Sequence, residues 1–201
     1  MTKDDTSPRR RPKGDKRART RAALLEAARE LVREQGYDHA TVEAVARRAG
    51  MTSGAVYGNF KNRAALLIAL GQTYWPDIKP KVRPGSSFAE LMQALAEATI
   101  EAIPARRAAG IGRLTGMAHA LSHEVIRIEA TRATQASYVA GAAWLRALVG
   151  ADELPMPAET LVVVVHALTE GLVFQRIMTP ELVPDEVIRA AFAGISVVKS
   201  C

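Results

Sequence analysis

The chain has 201 residues, and its 48% hydrophobic content is enough for one all-helical unit or for a small domain joined to a larger one. Its one cysteine, Cys201, excludes an intrachain disulfide and a thiolate metal site. The first 21 residues have no apolar segment, and the longest apolar run, residues 161–165, is too short to cross a bilayer. We therefore expect a cytoplasmic protein with no signal peptide and no membrane partner.

The positive charge is concentrated at one end of the chain. The net charge is +6 for the whole chain, +7 for residues 1–70 and −1 for residues 71–201. A basic end on a nearly neutral body indicates a polyanionic partner, with nucleic acid first and an anionic membrane surface second. The alternative is a solubilising tail without a partner.

The N-terminal elements are short and well punctuated. Residues 1–15, rich in charge, proline and glycine, are predicted to be a disordered basic arm. Apolar residues at helical spacing predict a helix over 17–35 that ends at Gly36. Three further helices follow. The first covers 42–49, with Thr41 as N-cap and Gly50 at its end, and the second covers 53–59, with Thr52 as N-cap; the third is capped by Asn62 and runs to about residue 75.

The remainder of the chain also has helical periodicity. The predicted helices cover 88–103, closed by Pro104, then 105–121, 123–149, 158–178 and 184–198. No alternating strand and no internal repeat is found in the sequence. The predicted fold is therefore all-α, with about nine helices.

The spacing of the second and third helices indicates a helix-turn-helix arrangement. Only Gly50-Met51-Thr52 separates them, which allows two short helices to cross at a steep angle. With Val56 and Phe60 turned inward, a small and hydroxylated outer surface is left, as a helix that enters a DNA major groove requires. The residues predicted on that outer surface are Ser53, Gly54, Ala55 and Asn59. Those predicted to flank it, where phosphates run, are Tyr57, Lys61 and Arg63.

The segment "GYDHATVEAVARRAGMTSGAVYGNFKNRAALL", residues 36–67, resembles the DNA-binding segment of TetR-type transcriptional repressors. The coinciding positions are Gly36, Tyr37, Thr41, Val42, Ala46, Ala49, Gly50, Gly54, Tyr57 and Phe60. The resemblance implies a helix-turn-helix DNA-binding domain over 16–62 and a helical ligand-binding and dimerisation domain over 63–201. It also implies a homodimeric repressor, without a cofactor or enzymatic activity, that binds a palindromic double-stranded DNA operator and is released by a small apolar effector.

The resemblance also implies roles for individual residues. Thr41, Tyr57 and Arg63 are expected to donate to phosphates, whereas Ser53, Gly54, Ala55 and Asn59 are expected to face bases. The remaining residues expected at DNA are Arg47, Arg48, Thr52, Lys61 and, from the arm, Arg9, Arg10 and Arg11. The alternative is that "TSG" is only a capped turn and that Tyr57 is a half-buried core residue.

The C-terminal part has no motif of comparable strength. A four-helix dimer interface is predicted from apolar and small residues of the last two helices, although intramolecular core is an equal alternative. These residues are Val164, Ala167, Gly171, Phe174, Ile188, Ala191, Phe192 and Ile195.

An effector pocket is predicted from large apolar residues and two histidines on several helices, although for any single one of them a place in the core is the favoured alternative. These residues are Tyr74, Trp75, Phe88, Met92, Met117, His119, His123, Tyr138, Trp144 and Met178.

Two other functions stay open at this point. His119 and His123 are spaced to share one helical face and could begin the metal site of a metalloenzyme, but a third ligand and a base would be needed, and we expect no metal. The basic arm could instead belong to an adaptor for nucleic acid of any sequence or for a membrane surface.

Overall fold

The structure, a computed structural model, describes residues 13–75, 77–150 and 153–196. Within these ranges all regular elements are helical, which confirms the all-α prediction. The eight α-helices are α1 (Lys13–Gln35), α2 (Val42–Arg48), α3 (Ser53–Tyr57), α4 (Arg63–Tyr74), α5 (Phe88–Ser122), α6 (Glu124–Val149), α7 (Ala158–Met178) and α8 (Asp185–Ser196), with a short 3₁₀-helix at Tyr37–His39.

The chain divides into two compact units, Met1–Leu70 and Gly71–Cys201, which we call the N-terminal and C-terminal units. The sequence placed this boundary at residue 62, at the start of α4. In the structure α4 belongs to both units, because its first part contributes Ala64, Leu66 and Leu67 to the buried residues and its last turn lies beyond Leu70.

The N-terminal unit is built from α1, α2, α3 and the first part of α4. Its core includes Leu24 of α1, Val45 of α2, and Val56 of α3, all completely buried. Helix α1 begins at Lys13, so residues 13–15 are helical and not part of an arm. The arm arginines Arg9, Arg10 and Arg11 lie outside the described residues.

The turn between α2 and α3 is set by a glycine at the end of α2. Gly50 has a φ of 64°, a conformation that residues with a Cβ rarely adopt. Its amide donates to the Arg47 carbonyl at 3.1 Å, and the Met51 amide donates to the Ala46 carbonyl at 2.9 Å. This pair of bonds is a Schellman motif, which ends α2 sharply and lets α3 begin at Ser53, three residues after Gly50.

Side chains cap the N-termini of α2, α3 and α4, as predicted. Thr41 Oγ1 accepts from the Ala44 amide at 3.1 Å, and Thr52 Oγ1 accepts from the Ala55 amide at 3.3 Å. Asn62 Oδ1 accepts from the Ala65 amide at 2.8 Å. Each bond satisfies an amide that has no partner within its own helix.

The C-terminal unit is a bundle of α5, α6, α7 and α8. Its core contains Leu91, Met92, Leu161, Ile188 and Phe192, all with no exposed surface. The prediction that Ile188 and Phe192 form a dimer interface is therefore wrong, because both side chains are buried within their own subunit.

Helix α5 runs through Pro104, where the sequence predicted two separate helices. Proline removes one backbone hydrogen bond and costs about 3 kcal/mol in a helix interior. Ile103 and Arg106, on either side of Pro104, are both buried. We attribute the continuity of α5 to this tertiary packing, which holds both halves in one direction and offsets the cost of the proline.

Helix α7 is apolar but poorly covered. It meets the length and composition of a membrane-spanning helix, with a mean hydropathy of 1.5 in its most apolar window, of which 17% is buried. The sequence-based expectation overlooked this, since it considered only uninterrupted apolar runs. Along one side of α7 the residues Thr160, Val164, Ala167, Gly171 and Met178 are at least partly exposed.

Candidate functional site

Helix α3 presents a small surface on a buried support. Val56 and Phe60 are 0% and 4% exposed, as predicted for residues that hold the helix from behind. On the other side Thr52 and Gly54 are exposed, and Ser53 and Ala55 are half-buried. The outer side of α3 therefore has side chains of no more than a few atoms, which allows another molecule to approach its backbone.

Three larger polar side chains surround this surface. The Tyr57 side chain is 56% exposed, so Tyr57 is not a core residue. Arg47, in the last turn of α2, and Lys61, between α3 and α4, are also exposed. The phenol and the two cations can bind the charged groups of a polyanion. The small residues between them leave room for hydrogen bonds to the rest of the same molecule.

Arg48 differs from its predicted role. Its guanidinium donates to Glu34 at 2.7 Å and to Glu30 at 3.2 Å, which binds it to α1. The hydrogen bond from Arg48 lowers the pKa of the Glu34 carboxyl below its ordinary value. Arg48 therefore joins α2 to α1 and is not available to DNA in this arrangement, whereas its neighbour Arg47 is.

Arg63 also has an internal role that the sequence did not predict. Its Nε donates to the Ala40 carbonyl at 3.0 Å, and its terminal nitrogen donates to the Tyr37 carbonyl. These carbonyls belong to the turn before α2, so Arg63 fixes the start of α2 to the start of α4. The predicted phosphate contact would have to use the donors that these bonds leave free.

Asn59 does not face outward as predicted. Its amide nitrogen donates to the Ala55 carbonyl at 2.8 Å, which closes the end of α3. The backbone carbonyl of Asn59 in turn accepts from the Arg21 guanidinium of α1 at 3.1 Å. The Arg21 guanidinium also lies 4.3 Å from the centre of the Phe60 ring, so Arg21 holds α3 against α1. Sequence analysis missed Arg21, whose only signal was its place in the basic stretch.

The C-terminal unit contains an open cavity of about 740 Å³, which we call the groove. One face of α6, from Arg127 to Arg146, forms most of its wall. The end of α5 and the start of α7 complete it. Its lining residues are Met117, Ala120, Leu121, Arg127, Ala130, Thr131, Thr134, Gln135, Tyr138, Val139, Ala142, Ala143, Arg146, Glu159 and Val163.

Met117 and Tyr138 are the predicted pocket residues that line the groove. Phe88 and Met92 belong to the core of the C-terminal unit instead. Trp144 and Met178 are 41% and 71% exposed and are not among its lining residues. The small and polar residues of α6 were not predicted to line a pocket, although their helical spacing in the sequence places them on one face.

Tyr138 has a fixed orientation in the groove wall. Its hydroxyl lies 2.7 Å from His166 Nδ1, and the two rings meet edge to face with centres 5.4 Å apart. His166 was not among the predicted residues. The pair joins the middle of α6 to the middle of α7.

A cluster of charged and aromatic residues, buried or half-buried, lies elsewhere in the C-terminal unit. Glu170 of α7 accepts from Trp75 Nε1 at 2.7 Å and from Arg106 of α5 at 2.9 Å, and it lies 3.6 Å from Arg113. The Arg106 guanidinium stacks over the Trp75 ring, 4.6 Å from its centre. Burial lowers the pKa of Arg106, and Glu170 opposes that shift.

This cluster, Trp75–Arg106–Arg113–Glu170, assigns new roles to two predicted residues. Trp75 and Phe174 stack on each other with ring centres 5.3 Å apart. Trp75 was predicted to line a pocket and Phe174 to face a second subunit, whereas both side chains pack within the C-terminal unit. Tyr74, another predicted pocket residue, lies beside Gly112 of α5.

His119 and His123 lie together at the end of α5. Their ring centres are 4.0 Å apart, and His123 Nδ1 lies 2.8 Å from the His119 carbonyl oxygen. The helix ends at Ser122, but the break does not separate the pair. Neither ring is among the lining residues of the groove.

The fold and the α2–α3 surface define an all-helical protein with an N-terminal helix-turn-helix. Residues 24–70 match the sequence model of the family described as bacterial regulatory proteins, tetR family. The uncharacterized HTH-type transcriptional regulator TtgW of Pseudomonas putida is 30% identical over 84 residues, which are 42% of this chain and 63% of TtgW.

Two solved structures share the fold over most of the chain. The first is that of a Rhodococcus sp. protein assigned to the TetR-family transcriptional regulators, with a TM-score of 0.60 and 23% identity, covering 91% of this chain and 100% of that protein. The second is NalD, the secondary repressor of the MexAB-OprM multidrug efflux pump in Pseudomonas aeruginosa, with a TM-score of 0.52 and 23% identity, covering 89% of this chain and 94% of NalD.

The sequence match to the model of the tetR family of bacterial regulatory proteins lies in the N-terminal unit. This confirms the resemblance seen in residues 36–67. The relatives that these comparisons name are transcriptional regulators.

Proposed function

We propose that this chain is a sequence-specific DNA-binding repressor in the cytoplasm, which reads a duplex with the outer surface of α3. The observation that carries the proposal is the contrast between the two sides of α3. Val56 and Phe60 anchor it from behind, while Thr52 to Ala55 offer only small side chains in front. A recognition helix needs both properties, since base edges are reached only when the backbone comes close to the groove.

The roles of the side chains follow from their exposure and partners. The Ser53 hydroxyl is proposed to bind a base edge, next to Gly54 and Ala55. The exposed Tyr57, Arg47 and Lys61 are proposed to bind phosphates, with Thr41 beside them. Arg48, Arg63 and Asn59 are proposed to position α2 and α3, because their side chains are bound within the unit.

A homodimer is proposed from the uncovered side of α7. Val164, Ala167 and Gly171 are exposed there although the helix is strongly apolar. A second copy of the same helix would bury this side in a two-fold symmetric contact. A two-fold dimer that holds two recognition helices requires a palindromic operator with half-sites about one helical turn apart.

Response to a small molecule is proposed from the groove. Its volume of about 740 Å³ lies in the range of small-molecule sites, roughly 300–1,000 Å³. Repression is favoured by the structural similarity to NalD, which is a repressor of an efflux pump. An effector releases DNA only if it binds the DNA-incompetent conformation more tightly than the competent one.

The experiment that tests this function is selection of bound duplexes from a random pool by the full chain. We expect enrichment of one sequence with two-fold symmetry. An adaptor that binds nucleic acid through charge alone would retain duplexes without an enriched sequence, and that result would overturn the proposal.

The dimer has a separate test in Gly171→Leu. A Cβ at Gly171 meets no atom of another element within 4 Å, so a side chain can be added there without a clash at its first carbon. At a close contact between two α7 helices it would force them apart, and light scattering should show monomers. Ala136→Leu on an exposed position of α6 is the control. A Gly171→Leu dimer of unchanged stability would place the interface elsewhere.

A further inference from the structure

The groove is lined by one continuous face of α6. Its α6 residues recur at helical spacing from Arg127 to Arg146, which corresponds to about 30 Å of helix. An elongated ligand lying along α6 would use this whole face. A compact ligand would fill only part of it.

The charges in the groove are unevenly distributed. At one end Arg146 bonds directly to Glu159, so these two charges compensate each other. At the other end the nearest carboxylate to Arg127 in an ion pair is that of Glu124, at 3.9 Å, and the two side chains are 54% and 78% exposed. A pair this long and this exposed is weak, so Arg127 can exchange Glu124 for another negative group at little cost in free energy.

The position of Arg127 adds to this potential. It lies in the first turn of α6, a helix of 26 residues whose N-terminal end carries the positive end of the helix dipole. Helix dipole and guanidinium therefore favour a negative group at the same end of the groove.

The wall beyond Arg127 is mostly apolar. Its apolar residues include Met117 and Leu121 from the end of α5, Ala130, Val139 and Ala142 from α6, and Val163 from α7. Thr134 and Gln135, between the two ends, make no side-chain hydrogen bond to another described residue. The groove thus offers an apolar path with a cation at one end and free hydrogen-bonding groups near its centre.

We propose that the groove binds an amphipathic monoanion, with its negative group at Arg127 and its apolar body along α6 toward Val163. The proposal rests on the proposed function of the C-terminal unit as an effector domain and names the class of effector. A cationic amphiphile of the same length is disfavoured by Arg127. A neutral one lacks the interaction that distinguishes the two ends.

The test is calorimetric titration of the full chain with three probes of one chain length below their micellar concentrations. These are decanoate, decan-1-ol and decyltrimethylammonium. We expect decanoate to bind most tightly and the cation most weakly. Arg127→Gln should weaken decanoate about three- to fivefold, the size expected for a partly exposed charge pair, and should leave decan-1-ol unchanged.

Two further variants make the result specific. Arg132→Gln is the matched control, because Arg132 lies on the same helix, pairs with Glu129 at 2.8 Å and does not line the groove. It should bind decanoate as the unaltered chain does. Ala130→Trp should fill the groove and weaken decanoate and decan-1-ol together.

The outcomes separate this proposal from the proposed function. Equal affinity for decanoate and decan-1-ol, no binding of either, or equal losses in Arg127→Gln and Arg132→Gln would each overturn the anionic class. Release of the selected duplex by decanoate is measured separately. If decanoate binds with the expected dependence on Arg127 but does not release the duplex, the ligand class stands and the proposed effector response fails.

Discussion

The two units of this molecule place their polar side chains in opposite ways. In the N-terminal unit the proposed functional groups come from twenty or so neighbouring residues, between Thr41 and Lys61, and most of them are exposed. In the C-terminal unit one polar cluster joins residues far apart in sequence, Trp75, Arg106 and Glu170, which are buried or half-buried. A surface made by one local motif can therefore be predicted from sequence, whereas a site assembled by packing cannot.

The cluster Trp75–Arg106–Arg113–Glu170 should give the largest effect. Glu170→Ala leaves the Arg106 charge buried without its carboxylate, and Trp75 Nε1 without its acceptor. We expect the free energy of unfolding to fall by about 3–5 kcal/mol, the usual cost of removing one partner of a buried ion pair. Urea denaturation of the full chain measures it.

Glu101→Ala is the matched control for this change. Glu101 belongs to α5 in the same unit and pairs with Lys81 at 3.4 Å, with both side chains mostly exposed. Its removal should change the free energy of unfolding by less than about 1 kcal/mol. Similar losses in the two variants would show that burial does not distinguish the Glu170 cluster from a surface pair.

Tyr57 tests the opposite behaviour in the N-terminal unit. Tyr57→Phe removes only a hydroxyl from an exposed ring, so the free energy of unfolding should change by less than about 0.5 kcal/mol. The proposed hydrogen bond to a phosphate would be lost, and duplex affinity should fall by about 1.5 kcal/mol. A mobility-shift titration beside a denaturation curve checks both, and unchanged affinity would remove Tyr57 from the interface.

The smallest expected effect is a difference in the salt dependence of DNA affinity between variants of Arg47 and Arg48. Arg47 is exposed, whereas Arg48 is bound to Glu30 and Glu34. Arg47→Gln should reduce the slope of log affinity against log salt concentration by about 0.9 per subunit, the value for one phosphate contact. Arg48→Gln should leave that slope nearly unchanged. The reverse order would mean that Arg48 leaves α1 when DNA binds.

Several features were predictable because their causes are local. The caps Thr41, Thr52 and Asn62 and the glycine turn at Gly50 depend on hydrogen bonds within a few residues, and the sequence carries them directly. The family match in residues 24–70 rests on the same local pattern.

Other features depend on partners that the sequence does not identify. Pro104 predicted a helix end, but the burial of Ile103 and Arg106 keeps α5 continuous. Phe192 has the spacing of either an interface or a core residue, and only packing shows that it is core. Arg48 and Arg63 have the charge of phosphate ligands, but nearby carboxylates and carbonyls bind them first.

The proposed function requires that α3 reads base sequence rather than charge alone. The most direct measurement is the ratio of dissociation constants for a scrambled duplex and for the selected duplex of equal length, at one salt concentration near physiological. We predict a ratio of about 10³ or more for the unaltered chain. Ser53→Ala should reduce it through a loss of about 1–3 kcal/mol at one base pair per half-site. Equal dissociation constants for the two duplexes would contradict the proposed reading of bases by α3.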